Sequence, residues 1–178
     1  MPNKTRLDGI FLDIDDTLYS TSEFAMRARI NAVHAMVKLG LKVTEKRCLR
    51  ELDEVVAEFS SNYPLHYNKL LARLGPESHP GVSDALLIAA GVAAYHDTKI
   101  SELKPFDDVI PFLRRLKRVG LMPGIISTGL STKQAEKLIR LGLSSYIHLN
   151  RVFISDDIGI SKPNPKPVSY THLTLPTN

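Results

Sequence analysis

The feature that most constrains this chain is residues 10–18, IFLDIDDTL, where Ile10, Phe11 and Leu12 run straight into Asp13, Asp15 and Asp16 and then Thr17. An apolar strand that ends in clustered acid is costly unless a cation or phosphate chemistry uses it, because like charges this close disfavour one another's ionised form. The period-2 geometry of a strand predicts Asp13 and Asp15 on one side and Asp16 on the other. Two plainer alternatives stand beside this reading: a solvated acidic turn, or a helix N-cap. A calcium loop is a third, but such loops spread oxygen ligands over about twelve residues with a glycine at the sharp turn. Here the sequence is apolar again by Leu18.

The 178 residues suffice for one domain, or for a core carrying a smaller insertion. With 43% apolar and 24% charged residues the balance is that of a globular chain. No run approaches the roughly 18 apolar residues of a membrane span. The start, MPNKTRLDG, has no apolar segment of the secretory kind, so a cytoplasmic location is expected. The single cysteine, Cys48, cannot form an internal disulfide and fits a reducing compartment. A net charge of +4 raises the question of nucleic acid, but the basic residues are dispersed among acids. The densest group, Arg114, Arg115, Lys117 and Arg118, reads as the wet face of a helix whose apolar face is Ile110, Leu113 and Leu116. Neither nucleic acid nor membrane is an expected partner, and oligomeric state is not legible.

Leu7 to Ile14 reads as a first strand. Ser20 and Glu23 form a capping-box pattern opening a helix that Gly40 stops. Thr44 opens another helix, with Leu49, Leu52, Val55, Val56 and Phe59 on one face. Further helical stretches run from about His66 to Leu74 and from Ser83 to Thr98. This block has no strand pattern and reads as a bundle. The rhythm then alternates: a helix from Asp107 or Asp108 to Val119, a strand at Met122–Ser127, a helix at Thr132–Leu141 closed by Gly142, and a strand at Val152–Ser155. Strand, helix, strand with short joints predicts parallel pairing by right-handed crossovers. The fold class expected is α/β, a Rossmann-like parallel sheet with an inserted α-helical bundle.

Two further positions bear on chemistry. Ser127, Thr128 and Gly129 sit at the carboxyl end of a parallel strand, where open α/β sheets bind ligands, and the NH groups from Gly129 to the next helix form a candidate anion site. Read alone, Ser127 only ends a strand and Thr132 only caps a helix. Lys162 lies in SKPNP, held by prolines in a stiff loop; read alone it is a surface lysine.

Taken together, these stretches resemble the haloacid dehalogenase (HAD) superfamily. Asp13-Ile-Asp15-Asp-Thr17 resembles motif I, Ser127-Thr128-Gly129 motif II, and Lys162-Pro-Asn-Pro motif III of subfamily I, whose helical C1 cap is inserted directly after motif I. The resemblance implies a core of residues 1–19 and 102–165, a cap of residues 20–101, and a non-native or disordered tail at 166–178. It implies Asp13 as nucleophile, Asp15 as general acid and base, and Lys162 pairing with Asp13 and the phosphate. Thr17, Ser127, Thr128 and Gly129 would hold the substrate, and Mg²⁺ would be bound by the Asp13 carboxylate and the Asp15 carbonyl. The second Asp favours a phosphatase or phosphomutase over a dehalogenase.

VFISDD, with Asp156 and Asp157, resembles the metal-binding motif IV, but it precedes Lys162 rather than following it; the two acids are expected in a loop near the cap. After Pro165 the family pattern gives way to KPVSYTHLTLPTN, so the core is expected to be incomplete at its C-terminus and to lack motif IV. TSEFAMRARINAV and KQAEKLIRLG resemble archaeal-type glyceraldehyde-3-phosphate phosphatase-like proteins, which makes glyceraldehyde 3-phosphate the candidate substrate. Tyr95 to Lys99 and His66, Tyr67 and Asn68 are the cap positions expected to face the leaving group, or else ordinary helix surface. The reading is thus a Mg²⁺-dependent small-molecule phosphatase working through an aspartyl-phosphate. The alternative is an inactive fragment retaining only a phosphate-binding fold.

Overall fold

The computed structural model describes residues 9–162 and 164. In chain order the elements are β1 (Phe11–Leu12), α1 (Thr21–Leu39), α2 (Glu45–Phe59), α3 (His66–Leu74), a 3₁₀ turn (Pro76–Ser78), α4 (Asp84–Glu102), α5 (Val109–Arg118), β2 (Gly124–Ser127), α6 (Ser131–Arg140), β3 (Val152–Ile154) and α7 (Ser155–Ile158). The chain divides into two compact units, one of Met1–Thr21 with Leu103–Asn178 and the other of Ser22–Glu102. The tail expected at 166–178 lies outside the described residues.

In the first unit, among the described residues, three strands form a sheet in the order β1-β2-β3. Both pairings are parallel, with Leu12 opposite Ile125 and Ser127 opposite Ile154. Parallel neighbours require crossovers, and α5 and α6 precede and follow β2 in the chain as such crossovers demand. Ile14, Leu113, Ile125, Leu138, Leu143 and Ile154 are buried in this unit. On α5, Val109, Leu113 and Leu116 are buried while Arg114, Arg115, Lys117 and Arg118 are exposed, the two-faced pattern the sequence requires. The central strand opens with Gly124 for a steric reason: a Cβ there would run into the Phe11 ring and lie 2.7 Å from the Arg151 carbonyl oxygen. Phe11 of β1 and Phe153 of β3 therefore approach with ring centroids 5.9 Å apart.

The first strand is shorter than expected. It ends at Leu12, because the Ile14 carbonyl accepts from the NH groups of Thr17 and Leu18 and the chain turns. Asp16 takes a left-handed conformation, φ 54°, rather than a strand's. Its Oδ1 accepts from the Thr21 NH at 2.9 Å, so Asp16 satisfies an amide at the start of α1. The strand-alternation argument for Asp13, Asp15 and Asp16 thus fails, since none of the three lies in the strand.

The second unit is helical. Val33 and Met36 of α1, Cys48 and Leu52 of α2, Leu70, Leu71 and Leu74 of α3, and Leu87 of α4 form one core. Burying each large apolar side chain contributes roughly 1.5–3 kcal/mol, which is what holds helices of mixed propensity together. Thr44 caps α2 by accepting from the Arg47 NH. The 3₁₀ turn was not legible in the sequence. It brings Ser78 Oγ to 2.9 Å from His79 Nδ1, and His79 Nε2 lies 2.7 Å from Asp84 Oδ1 at the start of α4. This serine, histidine and aspartate are not a hydrolytic triad: Ser78 Oγ also donates to the Gly75 carbonyl at 2.6 Å, and Ser78 and His79 are buried. They pin the turn to α4. Among the described residues no helix is long and apolar enough to cross a membrane.

Candidate active site

The candidate site stands at the carboxyl ends of β1 and β2, within the first unit. Asp13 is the first residue beyond β1 and Ser127 the last of β2, so parallel pairing places both at the same edge of the sheet. The Asp13 carboxylate accepts from the Ile14 NH at 2.8 Å through Oδ1. Its Oδ2 lies 2.6 Å from Lys162 Nζ. The first expected acid and the expected lysine are therefore brought into direct contact.

Ser127 is 3% exposed, and its Oγ has no hydrogen-bond partner among the described residues. A buried hydroxyl without a partner costs roughly 1–3 kcal/mol, so its retention asks for a ligand atom. Thr128 is exposed, and its carbonyl accepts from Gln134 Nε2 at 2.8 Å. Thr17 is exposed in the turn after Ile14.

The expected anion site at the start of α6 is differently built. The Gly129 NH donates to Ser155 Oγ at 2.9 Å, and the Ser131 NH donates to Asp156 Oδ2 at 3.1 Å. Ser131 Oγ also donates to Asp156 and to Asp157. The two acids expected in a loop instead form a short helix, α7, and complement the positive end of α6. The chain's own side chains thus occupy two amides that the sequence reading offered to a ligand.

Asp15 has the densest surroundings of the site. Oδ1 accepts from Tyr19 Oη at 2.7 Å, from Thr21 Oγ1 at 3.2 Å and from Lys137 Nζ at 2.6 Å. Oδ2 accepts from Gln134 Nε2 at 2.9 Å. Burial pushes the Asp15 carboxyl up, but the bonds from Lys137, Gln134 and Tyr19, with the Lys137 charge, outweigh it and hold the group below the ordinary carboxylate value. Sequence reasoning assigned no role to Gln134, Lys137 or Tyr19. The available signal was a pair of polar residues three apart in KQAEKL, which share a helix face.

For a divalent cation the donor set is thin. No group of three or more His, Cys, Asp or Glu residues able to hold a metal occurs among the described residues. The Asp15 carboxylate is already engaged by four donors, and of the two groups the resemblance names, the Asp13 carboxylate and the Asp15 carbonyl, the first already holds the Ile14 NH and Lys162. That donor set falls short of the octahedral oxygen shell of Mg²⁺.

Residues 7–171 match the model of the haloacid dehalogenase-like hydrolases. The chain is 47% identical over 162 residues to a protein of Methanopyrus kandleri named glyceraldehyde 3-phosphate phosphatase, covering 90% of this chain and 66% of that relative. It is 42% identical to a protein of the same name from Methanothermobacter thermautotrophicus, covering 89% of this chain and 67% of the relative. The chain thus spans about two thirds of the length of these curated relatives. Among solved structures, the fold is similar to a HAD family hydrolase from Deinococcus radiodurans crystallised with phosphate and sodium. The TM-score is 0.56 at 16% identity, over 94% of this chain and 66% of the other. The family match and the parallel sheet with Asp13 at its carboxyl edge agree, and the chain belongs to the haloacid dehalogenase-like hydrolases.

Proposed function

We propose that this hydrolase cleaves a small-molecule phosphate monoester through an aspartyl-phosphate on Asp13, with glyceraldehyde 3-phosphate as the first substrate to test. The observation that carries the reading is the buried Ser127 Oγ, without a hydrogen-bond partner among the described residues, at the sheet edge that also bears the Asp13–Lys162 pair. A phosphoryl oxygen supplies the acceptor Ser127 lacks, while Lys162 offsets the charge gathered when a phosphate meets a carboxylate. Asp13 Oδ attacks phosphorus as the bond to the leaving oxygen breaks, and Asp15, ionised at rest, delivers to that oxygen a proton taken up from solvent before the step. Asp15 then takes a proton from water, whose oxygen attacks phosphorus and frees Asp13 and inorganic phosphate. Thr17 and Thr128 are further proposed substrate contacts, and Gly129 a third once its NH leaves Ser155 Oγ.

The substrate rests on the relatives' names, and the Deinococcus structure bears phosphate on a similar fold. Mg²⁺ is the proposed cofactor; when bound it neutralises phosphate charge, with Asp13 and the Asp15 carbonyl among its donors. The described residues do not complete that shell. A cytoplasmic location is proposed on the single, buried Cys48.

The test is hydrolysis of glyceraldehyde 3-phosphate and p-nitrophenyl phosphate by the 178-residue chain with Mg²⁺, followed by phosphate release. Turnover that Asp13→Asn abolishes supports the reading; turnover that survives Asp13→Asn overturns it. The second reading, a fold that holds phosphate without turning it over, is favoured by the thin donor set. Phosphate binding without hydrolysis would establish it.

A further inference from the structure

Asp15 is held from across the sheet edge by α6, and the pattern of donors divides its two oxygens. Gln134 is 4% exposed, and its Nε2 reaches both Asp15 Oδ2 at 2.9 Å and the Thr128 carbonyl at 2.8 Å. Both partners are acceptors only, which fixes the amide with its nitrogen toward them. Gln134 Oε1 is then left buried with no partner among the described residues. An amide kept in this position despite that cost is one whose nitrogen is needed. Gly129 fits the same arrangement: a Cβ there would lie 2.6 Å from Gln134 Nε2, so a larger residue would push the amide from its place. On the other oxygen, Oδ1 receives Tyr19, Thr21 and Lys137, three donors for two lone pairs. Oδ2 receives Gln134 alone among the described residues and keeps a lone pair.

We propose that Gln134 is a positioning residue, a strut that ties the Asp15 loop to the Thr128 loop and, by holding Oδ2 while Lys137 holds Oδ1, fixes the orientation of the Asp15 carboxylate at the site. This rests on the acid and base role of Asp15 proposed above. Lys137 anchors Oδ1, with its ammonium 5.8 Å from the centroid of the Tyr19 ring that donates to the same oxygen. Gln134 aims Oδ2, and the Thr128 carbonyl fixes Gln134.

Two measurements separate this from the phosphatase reading itself. The first needs no turnover: NMR of the Gln134 side-chain amide in the 178-residue chain. The amide signals should shift in Asp15→Ala, which removes one of the two acceptors, and in Gly129→Ala, whose methyl displaces the amide nitrogen, and should be nearly unmoved in Asp13→Asn. Signals indifferent to both Asp15→Ala and Gly129→Ala overturn the strut.

The second is leaving-group dependence. Glyceraldehyde 3-phosphate departs as an alkoxide that needs a proton, whereas p-nitrophenolate does not. In Gln134→Leu and Lys137→Met, kcat on the sugar phosphate should fall about 100-fold while the initial p-nitrophenolate burst stays within about twofold, with Lys137→Arg recovering part of the loss. Equal losses on both esters would mean a merely structural role and overturn the assignment. If the wild-type chain turns over neither ester, the phosphatase reading fails, and the amide signals still decide the strut.

Discussion

Lys162 Nζ stands 2.6 Å from Asp13 Oδ2, joining the loop after α7 to the first residue beyond β1. Both side chains are more than a third exposed, at 39% and 37%, so water screens the pair and it adds little to stability. In the proposed mechanism its value lies in chemistry, where the Lys162 charge faces the carboxylate proposed to meet a phosphate. Lys162→Met should therefore lower kcat by about 100-fold or more, as removal of a single transition-state donor does elsewhere, with little change in melting temperature. Steady-state kinetics and thermal denaturation of the same preparation check both halves.

Ser127→Ala offers an opposite pair of signs. The hydroxyl is buried without a partner among the described residues, so deleting it removes a desolvation cost. The variant should be as stable as the wild type or more so, by up to about 1 kcal/mol, while its affinity for inorganic phosphate falls. Urea unfolding and calorimetric phosphate titration measure the two effects. A destabilised variant with unchanged phosphate affinity would mark Ser127 as structural.

Gly124→Ala should destabilise the sheet. The added methyl would lie 2.7 Å from the Arg151 carbonyl oxygen and against the Phe11 ring, and backbone on the β3 side cannot give way as a flexible side chain can. Overpacking of this kind costs about 1–3 kcal/mol, readable as a lower urea midpoint. Phe11→Leu in the same background should recover part of it, because only the ring contact is relieved.

In the helical unit, burial pushes the Tyr67 hydroxyl well above the ordinary tyrosine value; the neighbouring Tyr95 adds to this and Arg29 partly offsets it. The unfolded chain releases this proton near pH 10 while the folded chain retains it. Stability is thus fully present below about pH 10 and falls as pH rises beyond it, by at most about 1.4 kcal/mol per pH unit for one group. Tyr67→Phe should make the fall shallower without abolishing it, since Tyr95 is raised for the same reason. Chemical denaturation between pH 9 and 11 checks the slope.

Much of the architecture was legible because it follows from local pattern. The helices at Glu45–Phe59 and His66–Leu74 lie where Thr44 and the apolar spacing put them, and the parallel pairing of β1, β2 and β3 follows from their alternation with helices. Short pieces without a period of their own were not legible. The 3₁₀ turn at Pro76–Ser78 and the four-residue helix α7 are set by what they touch, His79 and Asp84 in one case and Ser131 in the other.

By itself the sequence determined which residue types gather after the first strand, and that an acid, a hydroxyl and a lysine follow three successive strands. Those statements need only chain order and the rule that parallel strands end on one edge. Tertiary structure alone decided how the acids are used. Asp13 faces Lys162, Asp16 serves the start of α1, and Asp15 is held by Gln134 and Lys137 from a helix more than a hundred residues away. A carboxylate's role depends on the donors around each of its oxygens, and side chains that reach it from a distant helix leave no periodic trace in the sequence.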